Sequence, residues 1–306
     1  SRKVHRTALL VNGGKPNPVG RRFDQNGRSS GGQSGGRHRG RGRSGPWVPP
    51  RRNEVVSELA GADLLPAIHF IFSRAGCDEA RDAVARDGLV LNDDREAEAV
   101  DAHIAERLES LSESDRAALR VDHWADVLRR GIASHHAGLV PIFKEVTEEL
   151  FVAGLVKLVY ATETLALGVN LPARSVVIDR LTKFTGETHE VLTPGQFTQL
   201  TGRAGRRGLD VEGHALVCWS PFVPFDRVAG LAGSRDFVLR SAFRPTYNMV
   251  ANMVEGRTRA QAVDLLARSF AQFQMDRQMA TRLRRNSEKY NEAALIRRRL
   301  DNEARP

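Results

Sequence analysis

Val156-Lys157-Leu158-Val159-Tyr160 runs straight into Ala161-Thr162-Glu163-Thr164-Leu165-Ala166-Leu167-Gly168-Val169-Asn170-Leu171-Pro172-Ala173, and this junction decides the fold. The opening run is apolar but too short for a buried helix, and reads as a strand covered on both faces. Similar runs bounded by turn residues recur at Ala67–Ser73, Ser175–Asp179 and His214–Trp219. Helical patterns lie between them. The segment Val140–Ala153 opens with Pro141 in a first-turn position, places Ile142, Val146 and Leu150 on one face, and is stopped by Gly154. Thr193-Pro194-Gly195-Gln196 carries a capping-box signature. Strands alternating with helices over 60–235 predict one α/β layer domain with a parallel sheet, and no repeat of fixed period is visible. In such a sheet ligands bind beyond the carboxyl ends of the strands, where the loop after Tyr160 would fall.

The composition narrows the function classes. With 306 residues, 41% hydrophobic and 27% charged, the chain suits a soluble protein of about two domains. No apolar run reaches the ~18 residues of a membrane helix, and the N-terminus has no apolar core of a secretory signal. Cys77 and Cys218 are too few for a disulfide framework or a zinc cluster and fit a reducing, cytoplasmic setting. The net charge of +9 is unevenly spread. Residues 1–52 hold 13 of the 46 bases and a single acid, Asp24, while the rest of the chain holds 33 bases and 36 acids. Asn12–Pro50 is rich in Gly, Arg, Ser and Pro, buries too little to offset its ordering entropy, and is expected to be disordered. Its centre, Gly36-Arg37-His38-Arg39-Gly40-Arg41-Gly42-Arg43, is similar to arginine-glycine tracts that contact single-stranded RNA. After residue 236 the pattern turns helical, with Val263, Leu266 and Phe270 spaced for one buried face, and Arg282–Pro306 is charged and weakly periodic.

The sharpest chemical feature is Gln199-Leu200-Thr201-Gly202-Arg203-Ala204-Gly205-Arg206-Arg207-Gly208. Three glycines and an alanine among the arginines let backbone and guanidinium groups approach a polyphosphate closely. Together with Ala161–Ala173 it resembles motifs V and VI of superfamily-two helicases (DEAD/DEAH-box type). The wording is similar to the superkiller-like branch, which includes exosome-associated RNA helicases. Further stretches carry the same resemblance: Ile68-His69-Phe70-Ile71-Phe72-Ser73-Arg74, then His135-His136-Ala137-Gly138-Leu139, then Ser241-Ala242-Phe243-Arg244-Pro245-Thr246-Tyr247-Asn248-Met249. The last opens that family's winged-helix domain.

The resemblance implies a RecA-like parallel sheet with helices on both faces over 61–235, a Gly/Arg-rich linker over 1–60, and the start of a winged-helix region over 236–306. It implies Arg203 and Arg206 as fingers on the γ-phosphate of ATP, with Gln199 orienting water or phosphate. Gly168, Asn170, Gly202 and Gly205 are the implied nucleotide contacts. Thr162, Glu163, Ser73, Arg74, His136 and Gly138 are the implied nucleic-acid contacts, and Leu181–Thr193 the strand-separating hairpin. The implied partners are RNA, single-stranded or duplex with an overhang, and the RNA-degradation machinery. DNA is the alternative substrate, and a non-catalytic RNA-binding module the alternative function.

Hydrolysis also needs a phosphate-cradling G-x-x-x-x-G-K-[ST] loop. The only Gly-Lys pair, Gly14-Lys15, is followed by Pro16 and lacks the earlier spaced glycine. The expectation is therefore a second helicase lobe, inactive alone, with ATP and Mg²⁺ held mainly by a first RecA-like domain outside this sequence. His135-His136 has no third ligand at a useful spacing, so no metal site is expected, and Asp78-Glu79-Ala80-Arg81 reads as a solvated first helical turn.

Overall fold

The computed structural model describes residues 8–12, 15–27, 50–168, 171–184, 187–234, 241, 243 and 246–303. The chain divides into two compact units, 1–236 and 237–306. The first opens with a short antiparallel hairpin, β1 (Val11–Asn12) and β2 (Lys15–Pro16), and helices α1 (Pro18–Gly27) and α2 (Arg52–Gly61). Strand β3 (Ala67–Phe70) follows, then helices α3 (Arg74–Arg86), α4 (Asp94–Arg107), α5 (Glu113–Ala118) and α6 (Val121–Arg129). Next come β4 (Ile132–His135), α7 (Pro141–Val152), β5 (Leu158–Ala161) and α8 (Thr164–Gly168). Strand β6 (Ser175–Ile178), the hairpin of β7 (Thr182–Phe184) and β8 (His189–Val191), α9 (Pro194–Thr201), β9 (His214–Val217) and α10 (Phe225–Gly233) complete this unit.

Five of the strands form one parallel sheet in the order β4-β5-β3-β6-β9. Strands β3 to β6 are buried at every position, which is why most of them read as unbroken apolar runs. Alternate residues feed two cores. Ile68, Phe70, Val159, Val176 and Ile178 pack with α4, α6, α7, α9 and α10 on one face. Ala67, Ile71, Leu158, Tyr160 and Val177 pack with Val56 and Leu59 of α2 and Cys77, Ala80 and Val84 of α3 on the other. This is the RecA-like layering that the resemblance implies, with helices on both faces of a parallel sheet. The expected helix 140–153 is α7, and the capping box of Thr193 and Gln196 opens α9.

The linker expectation fails at both ends of the N-terminal segment. Asn17 caps α1 by accepting from Val19 N–H at 3.0 Å, with Pro18 in the first turn. The helix docks on α10. Asp24 accepts from Phe225 N–H at 2.7 Å and Trp219 Nε1–H at 3.3 Å, and Arg21 pairs with Asp226 at 2.7 Å. Gly20 lies flat against the Phe225 ring, where a Cβ would come within 2.0 Å of Cζ. The tract Gly36–Arg43 lies outside the described residues.

At the other end, Arg52 of α2 reaches both oxygens of Asp179 at 3.4 and 3.3 Å, and His69 Nε2 lies 3.2 Å from the same carboxylate. Burial alone would raise the Asp179 pKa. The His69 and Arg52 contacts outweigh it and bring the pKa down to about 2. A carboxyl held below its unfolded value of about 3.9 contributes stability that is complete above that value and is lost as pH falls through the folded one. Urea midpoints measured from pH 5 down to pH 2 should therefore fall across this window. Arg52→Ala should lower the pH 5 midpoint and shallow the decline; an unchanged pH profile would count against the pair.

The second unit is helical: α11 (Tyr247–Glu255), α12 (Arg259–Ala267) and α13 (Phe270–Glu303). The expected continuous face of Val263, Leu266 and Phe270 is not formed. Ser269 accepts from Gln272 N–H and starts a new helix, so Phe270 leaves the α12 register, and Val263 and Phe270 are both exposed. No helix among the described residues is long and apolar enough to cross a membrane.

Candidate functional site

The motif residues gather at two opposite ends of the parallel strands. At the carboxyl ends, Ser73 caps α3 by accepting from Gly76 N–H at 3.1 Å, and Arg74 is exposed beside it. The Arg74 Cδ lies 3.5 Å from where a Gly138 Cβ would stand. Gly138 N–H donates to His136 Nδ1 at 3.1 Å, which leaves the ring proton on Nε2, 3.0 Å from Asp78 Oδ2. The other Asp78 oxygen accepts from Ser134 Oγ at 2.7 Å, and Arg81 Nη1 donates to that hydroxyl at 2.9 Å. Burial pushes the Asp78 pKa up, but the His136 and Ser134 hydrogen bonds and the Arg81 charge outweigh it, so the carboxyl stays ionised. Asp78 is thus a bracket for the 134–138 turn and not the solvated helical turn expected from its sequence.

Thr162 sits beside this turn. Its N–H donates to His135 O at 3.2 Å and its hydroxyl lies 2.8 Å from that of Thr164. Glu163 holds Lys183 of the β7–β8 hairpin at 3.2 and 2.9 Å, and Phe184 on that hairpin is exposed. The ribbon expected over Leu181–Thr193 is therefore present, with Thr182 opposite Val191; its expected turn at Gly186-Glu187 is described only from Glu187. His135 Nε2 lies 2.7 Å from Glu148, while burial depresses its pKa more than that carboxylate raises it. His135, His136, Lys144, Glu148 and Thr164 line a cavity of about 310 Å³ here. The two imidazoles face different carboxylates, and among the described residues no three His, Cys, Asp or Glu side chains gather to hold a metal ion.

The arginine loop lies at the amino ends of the strands, opposite the loop after Tyr160, which stands at the carboxyl ends as expected. It enters β9 from upstream, so its backbone joins the segment leading into β6. Ala173 pairs with Ala204, Ala173 N–H donates to Arg203 O at 2.9 Å, and Gly205 N–H donates to Ala173 O at 2.7 Å. Gly205 takes φ +93°, a left-handed conformation that favours glycine. Arg203 reaches across to the Ala166 carbonyl of α8, which lies on the segment running from the end of β5 back to the start of β6. Arg206 is held by Asp210: Oδ2 accepts from its backbone N–H and Nε at 2.8 and 2.9 Å, and Oδ1 from Nη2 at 2.8 Å. These contacts bring the Asp210 pKa down to about 2, against burial. Gln199 is exposed on α9, Gly202 ends that helix, Gly168 ends α8, and Asn170 lies outside the described residues.

Arg174, Arg206, Asp210 and His214 line a second cavity of about 380 Å³. Its guanidinium groups suit a phosphate. Among the described residues no group of three His, Cys, Asp or Glu side chains gathers there to hold a magnesium ion. The roles of Asp210 and Asp78 could not be read from the sequence; the only signal for Asp210 was its position four residues after Arg206.

A model of the helicase conserved C-terminal domain matches residues 110–208. Probable helicase HelY of Mycobacterium tuberculosis is 54% identical over 241 residues, covering 79% of this chain and 27% of that protein. The chain carries a superkiller-like helicase C-terminal domain. Superkiller complex protein 2 of Homo sapiens is 40% identical over 221 residues, 72% of this chain and 17% of its own length. The ATP-dependent RNA helicase DExH11 of Arabidopsis thaliana is 39% identical over 229 residues, 74% of this chain and 17% of its own. The chain thus spans about a quarter of the HelY length and about a sixth of the other two. The helicase C-terminal domain match covers β4, β5, β6 and the arginine loop, while Ser73, Arg74 and Asp78 before it and Asp210 and His214 after it lie outside the matched residues.

Proposed function

We propose that this chain is the second motor lobe of an ATP-dependent RNA helicase. Arg203 and Arg206 meet the γ-phosphate of ATP bound on a first lobe that supplies the Walker loop and Mg²⁺ ligands. The observation that carries this reading is the backbone ladder from Ala173 to Arg203 and Gly205. With the Arg203 contact to α8, it ties the arginine loop to the segment that begins at Thr162, beside Ser73, Arg74, His136 and Gly138. Movement of the arginine end when nucleotide closes the lobes then has a covalent and hydrogen-bonded route to the nucleic-acid end. A four-residue strand at ~3.3 Å per residue makes that route short. RNA as the substrate is supported by the name of the Arabidopsis thaliana relative, and a place in a larger protein complex by that of superkiller complex protein 2.

The test is complementation. The chain alone should show no ATPase, and adding a first lobe from a HelY-type protein should restore RNA-stimulated phosphate release. A single-stranded DNA oligonucleotide of equal length should stimulate it less; equal stimulation would move the substrate to nucleic acid in general.

The arginine-glycine tract adds a separate prediction. Deleting 1–52 would remove α1 and the Arg52 pair, so the cleaner change is Arg37, Arg39, Arg41 and Arg43 to Gln. For every phosphate that these arginines neutralise, the substitution should flatten the log–log salt dependence of single-strand RNA binding by about 0.7. An unchanged slope would show that the tract does not touch RNA.

A further inference from the structure

The carboxylate of Asp210 stands where a phosphate must stand to use the Nε–Nη2 edge of Arg206. Guanidinium groups grip carboxylates and phosphates with the same planar fork, so the two acceptors compete for one edge. The Asp210 side chain is only 4% exposed, while that of Arg206 is 28% exposed and opens on the 380 Å³ cavity. The groups around them complete the picture. Arg174 Nε lies 4.0 Å from Asp210 Oδ1, and Arg174 Nη1 is paired with Asp63 at 2.7 Å. Glu212 and His214 face the same cavity.

We propose that Asp210 is a latch that holds the finger Arg206 in the nucleotide-free domain and yields its edge to an incoming polyphosphate, with Arg174 taking over the released carboxylate. This rests on the reading of Arg206 as a finger and adds to it a positioning residue and a reason for conditional engagement. Exchange of one two-pronged acceptor for another is close to balanced. A phosphate held only by this lobe therefore gains little, and the finger commits when the opposite lobe adds its own contacts. Arg174 keeps Asp210 from being left buried and unpaired after release, a state that would cost several times more than a surface pair is worth.

Calorimetric titration of the 306-residue chain with inorganic tripolyphosphate tests the latch. Asp210→Asn should bind about tenfold more tightly than the unmutated chain, a difference of about 1.4 kcal/mol. Adding Arg206→Ala to it should erase the gain. Equal or weaker binding by Asp210→Asn would overturn the latch. Turnover left unchanged by Arg206→Ala in the complex with the Walker-bearing lobe would instead sink the finger reading, so the two failures are distinguishable. Should Asp210→Asn not fold, the unmutated chain still decides by NMR. Tripolyphosphate should shift the Arg206 Nε–H and the Asp210 carboxyl carbon together; an Asp210 signal that stays fixed at saturation rules out the exchange.

Discussion

Arg206→Ala, assembled with the Walker-bearing lobe, should lower ATP turnover by about 10³–10⁵-fold, or roughly 4–7 kcal/mol of transition-state stabilisation. The charge that develops on a transferring γ-phosphoryl group is spread over its equatorial oxygens, and a fixed fork of N–H donors is worth most where water is excluded. Arg206 sits on a loop whose backbone is pinned at Ala173, so its head can be aimed without ordering the chain anew. Arg206→Lys should recover little, since an ammonium lacks the second prong. Steady-state phosphate release with saturating RNA reads the effect directly. Turnover within about tenfold of the unmutated complex would remove Arg206 from the chemistry and leave Arg203 as the remaining candidate.

The second large effect is structural. A Cβ placed on Gly213 would lie 2.4 Å from Ala204 O, 2.5 Å from Ala204 C and 2.6 Å from Gly205 N. All three are backbone atoms, so no rotamer change relieves the overlap, and packed interiors yield little. Gly213→Ala should therefore cost about 2–4 kcal/mol of stability, in the range of severe overpacking. It should also push the 204–205 backbone off Ala173 and depress ATPase more than a remote mutation of equal stability cost. Thermal unfolding and ATPase measured on the same preparation separate the two contributions. A melting temperature unchanged by the substitution would show that the loop gives way freely.

Much of the fold is legible in the sequence, because parallel strands buried on both faces leave plain apolar runs. β3, β5 and β6 are visible in this way, and β9 also reads as a short apolar run although it is only partly buried. The fifth, β4, is hidden by Ser134, His135 and the following His136, buried polar residues that Arg81, Asp78 and Glu148 hydrogen-bond from neighbouring helices. Asp78 meets Ser134 and His136 across 56 and 58 positions, and partners so distant leave no local trace, which is why its bracing role does not show in the sequence. Val263 and Phe270 show the opposite failure: helical spacing is present, but the break at Ser269 puts them on different helices. At the site, the order of the motifs reveals which residues belong together. Which end of the sheet each occupies depends on the direction from which the chain enters β9, and no spacing rule encodes that.

The docking of α1 has a consequence for how this domain can change over generations. Asp24 is fastened to Trp219 and Phe225 on one side of the tract, and Arg52 to Asp179 on the other. The two posts belong to the same body. Changes that loosen either post, at Asp24 or at Arg52, thus remove folding contacts of the motor itself, so over generations α1 and α2 are held to the motor body whatever joins them.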